Sequence, residues 1–290
     1  MKKKVMITGS SSGFGLKAAK DFADNGYKVF ATMRNTEDKN AEKKAELENH
    51  SSDIKVIEMD VTSDISVKNA TDLILKDAVN IDILINNAGI MYVGITEAFS
   101  VVQAHQQMNT NYYGIIRVSQ AILPSMRKAG KGLIINTTSV AGRVAWPFCG
   151  TYNASKFAVE GYSQALKYEV SGQGIEVVLV EPGPFGTGLF GSIQEEDRKE
   201  ILADYPELNS IKNGMIEQFD QFLKSPEAPQ SQEVVDTYLN LATMPHGQRP
   251  TRTVVGIDYG AIEMNKTYQP LQDEVLRTLQ VEFMRETKVS

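Results

Sequence analysis

The sequence has few of the features that are typical of secreted or membrane-spanning proteins. Cys149 is the only cysteine in 290 residues, which excludes an internal disulfide and favours the cytoplasm. Every apolar run is shorter than the ~18 residues that a membrane span requires. The basic start, Met1 to Lys4, leads at once into a short strand and a glycine-rich stretch, whereas a signal peptide needs a longer apolar segment. We therefore expect a cytoplasmic protein without a membrane span.

Strongly basic character and metal-ligand spacing are also missing. The formal net charge is −6, which argues against nucleic acid as a partner. The three histidines, His50, His105 and His246, are scattered along the chain, so no spacing typical of a metal site occurs and no metal is expected. With 42% hydrophobic and 23% charged residues, the chain is long and apolar enough for a substantial core.

Short apolar runs alternate with helical patterns along the first 180 residues. Strands are predicted at 4–7, 27–33, 54–59, 81–85, 132–137 and 175–180. Helices are predicted at 16–23, 36–49, from the cap residues at 60–64 to about 77, at 101–129 with a break near 109–111, and at 151–171. Nearly continuous β-branched runs suit strands that are buried on both faces, and alternating βαβ units imply a parallel sheet. The sequence thus predicts a single α/β domain over 1–290, with a doubly wound Rossmann-type sheet and helices on both faces.

The chain after residue 182 follows this pattern less closely. A glycine-rich run is followed by polar sequence that is helical in patches, and we interpret 184–230 as a segment that covers a ligand rather than as a second domain. The stretch 249–258 contains a last short strand. A C-terminal extension follows residue 258, with a helix predicted over 271–286.

A glycine-rich turn, TGSSSGFG, joins the first strand to the first helix. Such a turn presents free backbone N–H groups at the positive end of a helix dipole, which together hold a phosphate. The glycines are spaced G-x-x-x-G-x-G rather than in the common G-x-G-x-x-G fingerprint, so a tight turn that packs helix on strand is the alternative. The residues predicted to bind a cofactor here are Gly9, Ser11, Ser12, Gly13, Phe14 and Gly15.

Tyr152 and Lys156 form the sharpest chemical signal. Four residues apart on a helix, their side chains lie on one face. A phenol has a pKa near ~10, and a neighbouring ammonium lowers that pKa, so the pair can exchange a proton with a carbonyl or alcohol oxygen. Taken alone, the spacing is common, and a solvated helix face is the alternative.

Further polar and small residues leave strands at the same edge of the sheet. Ser139 follows the fifth strand, the fourth strand runs into Asn87, Ala88 and Gly89, and the sixth ends at Pro182 and Gly183. Ligands bind beyond the carboxyl ends of parallel strands. One cofactor could therefore touch all these segments together, which favours a binding site over a set of unrelated turns.

Another polar residue, Asn111, lies inside a helical pattern, where asparagine is a weak helix former. With it, the motifs T-G-x-x-x-G-x-G, N-N-A-G, Asn, Ser, Y-x-x-x-K and P-G occur in order. The chain resembles the short-chain dehydrogenase/reductase family over about residues 1–187 and 249–258, and within it the hydroxysteroid and retinol dehydrogenase-like members. Phe14, in the glycine-rich turn, stands where the family usually has isoleucine, but its backbone N–H is still available to bind the cofactor.

The resemblance implies a catalytic tetrad of Asn111, Ser139, Tyr152 and Lys156. In it Tyr152 is the general acid/base, Ser139 positions the substrate oxygen, Lys156 holds the nicotinamide ribose and lowers the Tyr152 pKa, and Asn111 supports a water relay to Lys156. The cofactor-binding residues that the resemblance adds are Asp60 and Val61 at the adenine and Thr187 at the nicotinamide carboxamide. It also implies a homodimer or homotetramer, formed through the helices that hold Asn111 and Tyr152.

The second strand indicates which nicotinamide is bound. An acidic residue at its end would bind the ribose hydroxyls of NAD, but the strand ends Ala31-Thr32-Met33-Arg34. Arg34 can pair with a 2′-phosphate, with Ser11 and Ser12 as further donors, so NADP(H) is predicted; a plain surface arginine is the alternative.

The sequence therefore predicts hydride transfer between NADP(H) and a small carbonyl or alcohol substrate of apolar character. An NAD-dependent alcohol dehydrogenase of the same fold and a non-catalytic NADP-binding sensor are the rivals. We interpret Cys149 as a packing residue, and the Trp146-Pro147-Phe148 stretch either lines the substrate pocket or is a packed loop.

Overall fold

The computed structural model describes residues 2–287. Its strands are β1 (Lys4–Thr8), β2 (Lys28–Met33), β3 (Ile54–Glu58), β4 (Ile83–Asn86), β5 (Gly132–Thr137), β6 (Ile175–Pro182) and β7 (Arg252–Val255). They form one parallel sheet in the order β3-β2-β1-β4-β5-β6-β7. The order reverses between β1 and β4, and at such a switch point the loops diverge and leave a crevice beyond the strand ends.

Helices cover both faces of this sheet, which confirms the predicted fold class. They are α1 (Gly13–Asp24), α2 (Ala41–His50), α3 (Asp64–Ala78), α4 (Val101–Met108), α5 (Gly114–Ala129), α6 (Gly150–Ser171), α7 (Pro206–Leu223), α8 (Gln232–Thr243) and α9 (Ala261–Thr278). Residues of α1, α2 and α8 pack on one face, and residues of α3, α5 and α6 pack on the other.

The two cores follow from the pleat of the strands. Val5 and Ile7 point into the layer of α1 and α8, whereas Met6 points into the layer of α3 and α5. All three side chains are fully buried. Alternate residues of a strand face opposite sides of the sheet, so a strand covered by helices on both faces must be apolar throughout.

The predicted break in the long helical stretch is a π-helical turn, Asn109–Tyr113, between α4 and α5. The prediction of a terminal helix over 271–286 is wrong in its start and its end, because α9 begins at Ala261 and runs through Pro270. Its start is fixed by Asp258, whose carboxylate accepts hydrogen bonds from the backbone N–H groups of Gly260 and Ile262. Pro270 lies inside this helix.

Two features of the remaining chain bear on the site. The predicted covering segment, 184–230, contains short 3₁₀ turns at Phe190–Ser192 and Lys199–Asp204, followed by α7. Among residues 2–287, no helix has the length and apolarity that crossing a membrane would require. The assignment of the whole chain to one domain stays a prediction.

Candidate active site

A cleft of about 980 Å³ lies at the carboxyl edge of the sheet. The predicted site residues that line it are Gly9, Ser11, Ser12, Gly13, Phe14, Arg34, Asp60, Val61, Asn87, Ala88, Gly89, Ser139, Tyr152, Lys156, Pro182, Gly183 and Thr187. Gly15 and Asn111 lie behind its wall. Nearly all the residues that the sequence analysis assigned to the site therefore line one cleft at the carboxyl ends of the strands.

Close backbone packing explains two of the three glycines in the first turn. Gly9 has φ +71°, and a Cβ there would lie 2.8 Å from the Cα of Ala88. A Cβ at Gly15 would contact the carbonyl oxygen of Gly9 and lie 2.6 Å from the side-chain nitrogen of Asn87. These glycines let β1, α1 and the β4 loop meet, so close packing by itself requires glycine at both positions. Their predicted contact with a cofactor stays a prediction. The N–H groups at the start of α1 have no side-chain cap, and their binding of a phosphate stays a prediction.

Thr8 is a structural residue of the site that sequence reasoning missed. Its hydroxyl oxygen accepts hydrogen bonds from the backbone N–H groups of Asn87, at 2.9 Å, and Ala88, at 3.0 Å. The Asn87 amide in turn donates to the Thr8 carbonyl at 3.0 Å. Thr8 thus fixes the β4 loop beside the glycine turn, and its place at the head of the TGSSSGFG motif was the available signal.

Tyr152 and Lys156 lie on the buried inner face of α6, and each side chain is only 6% exposed. The Lys156 ammonium donates to the carbonyl oxygen of Thr137, at the end of β5, at 3.0 Å. Its Nζ atom lies 5.7 Å from the centre of the Tyr152 ring. The alternative of a solvated helix face is therefore wrong, because both groups are held at the floor of the cleft.

Ser139 is placed next to this pair by the turn that follows β5. Its hydroxyl accepts a hydrogen bond from the Ala141 N–H at 3.1 Å and donates to the Pro182 carbonyl at 3.3 Å. The Ser139 hydroxyl also lowers the pKa of the neighbouring Tyr152 phenol. The serine thus joins the loops after β5 and β6 beside the tyrosine on α6.

Burial sets the pKa of both reactive groups. The pKa of Tyr152 is raised to about 12, because burial disfavours the phenolate more than the neighbouring Ser139 hydroxyl stabilises it. Burial likewise lowers the pKa of Lys156 to about 8, against the charge of Glu160. The expectation that Lys156 lowers the Tyr152 pKa below its ordinary value is wrong for this structure, where desolvation dominates. At neutral pH, Tyr152 holds its proton and Lys156 is mostly charged.

Asn111 lies in the π-helical turn and is fully buried. Its amide accepts from the Ile90 N–H at 2.9 Å and donates to the Ile90 carbonyl at 3.0 Å. It also donates to the hydroxyl of Ser155, the neighbour of Lys156, at 3.1 Å. Asn111 therefore ties the β4 loop to α6 and reaches the residue beside Lys156. The predicted water relay to Lys156 stays a prediction.

Arg34 and Asp60 stand at the other end of the cleft. The Arg34 side chain is 60% exposed, and its Nη1 atom lies 4.0 Å from a carboxylate oxygen of Asp60. The Asp60 carboxylate is held by the N–H and hydroxyl of Thr62. Lys39 and Lys43 line the same end of the cleft. Sequence reasoning missed these two lysines, because they belong to a charged stretch that resembled an ordinary exposed helix.

Apolar and aromatic side chains form the wall near Tyr152. They are Met91, Ala141, Trp146, Cys149, Leu189 and Phe190. Trp146 lines the cleft, while Phe148 packs against the neighbouring core. The Trp146-Pro147-Phe148 stretch is therefore part cleft wall and part packed loop. Burial raises the pKa of the Cys149 thiol to about 12, which fits a packing residue and not a nucleophile.

The covering segment is attached to this wall at several points. Trp146 stacks on Phe219 of α7 with ring centres 5.9 Å apart. Gln194 pairs with the chain near Tyr92, donating its N–H to the Met91 carbonyl at 3.0 Å. These contacts hold the segment around Gln194 and α7 against the wall near Tyr152. That the segment covers a bound ligand stays a prediction.

Sequence comparison places this geometry in a known family. The model of the short chain dehydrogenase family matches residues 3–198. A 3-ketodihydrosphingosine reductase of Bacteroides thetaiotaomicron is 41% identical over 184 residues, which cover 63% of this chain and 64% of that protein. Human retinol dehydrogenase 8 is 35% identical over 205 residues, covering 70% and 64% of the two chains. The chain thus spans just under two thirds of the length of these two relatives.

Solved structures agree in fold. A short-chain dehydrogenase from Streptomyces avermitilis superposes with a TM-score of 0.78, at 26% identity, over 97% of this chain and 96% of that one. ElxO, solved with NADP bound, gives a TM-score of 0.71 at 26% identity over 91% and 100% of the chains. A family member from Burkholderia phymatum, solved with NAD, gives 0.74 at 21% identity over 100% and 97%. Structural relatives therefore bind one or other nicotinamide dinucleotide.

The match extends from β1 through the cleft to the start of the covering segment. It includes the glycine turn, the β4 loop, Ser139 and the buried Tyr152–Lys156 pair. On this basis, the chain belongs to the short-chain dehydrogenase/reductase family and has the Rossmann fold.

Proposed function

We propose that this protein is an NADP(H)-dependent oxidoreductase that transfers hydride between the nicotinamide and an apolar carbonyl compound or the matching secondary alcohol. The observation that carries the proposal is the cluster of Ser139, Tyr152 and Lys156 at the floor of the cleft, beside the glycine turn. A buried acid, a buried cation and a hydroxyl at one place form the arrangement that protonation of a carbonyl oxygen needs.

The residues of the cleft fit a dinucleotide. The first turn of α1 offers backbone N–H groups for phosphates, and Ser12 at its N-cap leaves them free of a side-chain cap. Lys156 and Thr187 would hold the nicotinamide end, and Asp60 with Val61 the adenine end. When bound, the cofactor supplies or accepts the hydride; the protein supplies orientation and the proton.

Tyr152 acts as the proton donor in the direction of reduction. Because burial raises its pKa to about 12, the phenol is fully protonated at neutral pH and can donate to a carbonyl oxygen that gains negative charge. Ser139 donates a second hydrogen bond to that oxygen. The Lys156 ammonium stabilises the phenolate that remains. General acid catalysis of this kind contributes about 10²–10⁴-fold to the rate.

The charges at the adenosine end favour NADP(H) over NAD(H). Arg34 follows β2 directly, with no acidic residue at the strand end. Lys39 and Lys43 add positive charge, which is offset by Glu42 on the same lining and by Glu46, the 2.7 Å partner of Lys43. Arg34 has Asp60 at 4.0 Å as its ionic partner and is the residue able to bind a 2′-phosphate through two hydrogen bonds.

The wall next to Tyr152 favours an apolar substrate. Trp146, Leu189 and Phe190 offer hydrocarbon surface to a ligand, and the last two belong to the covering segment. The names of the two curated relatives refer to 3-ketodihydrosphingosine and retinol, both of which are mostly hydrocarbon. We therefore expect ketones or aldehydes that carry a long chain or an apolar ring.

The test is a panel of apolar and polar carbonyl compounds with NADPH or NADH, followed by the loss of nicotinamide absorbance. We expect turnover of apolar ketones with NADPH, and a rate lowered at least 10²-fold in Tyr152→Phe. Equal turnover by Tyr152→Phe and the parent would refute the assigned chemistry. Arg34→Asp should shift the preference towards NADH; an unchanged preference would favour the NAD-dependent alternative. Tight NADPH binding with no turnover on any compound would favour the sensor.

A further inference from the structure

A buried ion pair lies one helical turn along α6 from Lys156. Glu160 on α6 is 3% exposed, and one of its carboxylate oxygens accepts a hydrogen bond from Nε of Arg252, on β7, at 2.8 Å. The other oxygen, Oε1, is buried and has no hydrogen-bond partner within residues 2–287. A buried carboxylate with a free oxygen is costly unless nearby positive charge stabilises it.

Further charged and polar groups, from β6 and α9, lie beside this pair. Glu181, fully buried at the end of β6, lies 3.5 Å from the same Arg252 nitrogen and accepts from Asn265 of α9 at 2.6 Å. The Arg252 and Arg143 guanidinium groups both lie over the ring of Tyr268, also on α9. Burial, and then the charge of Glu160, raise the pKa of Glu181 to about 8, so Glu181 is mostly protonated at neutral pH. Glu160 is the carboxylate that Arg252 binds at the shorter distance.

Lys156 and Glu160 are one helical turn apart on the same buried face of α6. At this spacing the two Cβ atoms lie about 5–6 Å apart. The hydrogen-bond partner of the Lys156 ammonium is a neutral carbonyl, that of Thr137. Glu160 is therefore the anion placed to offset the desolvation of the ammonium, and its charge raises the pKa of Lys156 against the effect of burial.

We propose that Glu160, clamped by Arg252, is a positioning residue that keeps Lys156 charged and in place at the floor of the cleft. The inference deepens the proposed function, since it rests on the role given there to the Lys156 ammonium. Arg252 holds the carboxylate against the helix and prevents it from turning to solvent. Because Arg252 also contacts Glu181 and Tyr268, the β7–α9 part of the chain sets the electrostatics of a site to which it contributes no lining residue.

Direct titration of the lysine tests this inference without any substrate. The protein is labelled with [13Cε]lysine, and the Lys156 resonance is assigned by its loss in Lys156→Arg. In Glu160→Gln, we expect the pKa of Lys156 to fall by about one unit below that of the parent. The control is Glu169→Gln, which makes the same change on an exposed position of the same helix and should leave the resonance unchanged.

Two further variants separate charge from fold. Glu160→Asp retains the carboxylate and should restore most of the Lys156 pKa. The double variant Glu160→Gln/Arg252→Gln removes both charges of the pair, so neither is left buried and unpaired. Because Glu160 lies one helical turn from Lys156, the pKa of Lys156 should again fall in the double variant. An unchanged or raised pKa in Glu160→Gln would overturn the proposal. If Glu160→Gln does not fold, an unchanged or raised pKa in the double variant would overturn it instead.

The pH dependence of enzyme activity provides a second test of this inference. With a substrate found in the panel, the alkaline limb of the kcat profile should move down by about one pH unit in Glu160→Gln, a loss of about five-fold at pH 8. KM should change little, because the residue does not touch the substrate. A parent without any turnover would count against the proposed function, whereas an active parent whose profile Glu160→Gln leaves unmoved would count against this inference alone.

Discussion

Replacing Gly9 by alanine tests how the glycine turn is built. The residue has φ +71°, in the left-handed region, and a Cβ there would lie 2.8 Å from the backbone Cα of Ala88 and 3.1 Å from its nitrogen. The left-handed conformation costs a non-glycine residue about 1–2 kcal/mol. Because a backbone atom cannot rotate away as a side chain can, the clash adds about 1–3 kcal/mol of strain.

Gly26 supplies the matched control for this change. It has φ +82°, yet nothing lies within 4 Å of a Cβ built on it. Gly26→Ala should therefore lose only the conformational part, about 1–2 kcal/mol, while Gly9→Ala should lose about 2–5 kcal/mol. The difference between the two variants measures the contact between β1 and the β4 loop.

Urea unfolding followed by far-ultraviolet circular dichroism measures both values. A melting temperature lower by roughly 2 °C for each kcal/mol is expected in parallel. Equal losses in the two variants would refute the reasoning, because they would show that the loop at Ala88 moves aside without cost. A smaller loss in Gly9→Ala than in Gly26→Ala would show that the turn is not packed as the structure has it.

Three further outcomes follow from the site and its surroundings. Lys212→Met leaves Glu196 buried without its 2.7 Å partner and should lower the free energy of unfolding in urea by about 3–5 kcal/mol. The control Lys68→Met, at an exposed pair, should lower it by less than about 1 kcal/mol. Similar losses in the two variants would contradict the burial argument. The rate of carbonyl reduction should fall above pH about 8, where Lys156 loses its proton, and a pH–rate profile that stays flat to pH 10 would mean that its charge is not needed. Phe157, 44% exposed on α6, should be covered in a homo-oligomer, so Phe157→Glu should reduce the mass measured by light scattering; a monomeric parent would remove this expectation.

The parts of the fold that could be predicted depend on local patterns and on one rule of topology. Buried parallel strands are apolar throughout, so Lys4–Thr8 and Ile175–Pro182 are visible in the sequence. Because every parallel strand ends at the same edge, Ser139 and Gly183 could be placed near each other without a structure. The weak helix former Asn111 likewise marked the π-helical turn.

The parts that could not be predicted depend on distances between remote elements. Whether Gly9 faces a ligand or Ala88 is decided by how closely β1 and the β4 loop approach. The direction of the Tyr152 pKa shift depends on the depth of burial, which the four-residue spacing to Lys156 does not reveal. The pairing of Glu160 with Arg252 joins residues 92 positions apart, and nothing local in either segment indicates it.

Trp146 gives the protein a built-in optical reporter. It is the only tryptophan in the chain, and it lies in the cleft wall between Phe219 of α7 and Tyr259, which precedes α9. Its emission will therefore respond to whatever enters the cleft or displaces the helix above it. Reduced nicotinamide absorbs in the range where indoles emit, so energy transfer from this one ring can follow cofactor arrival and departure in real time, with no dye attached and no second indole to confuse the signal.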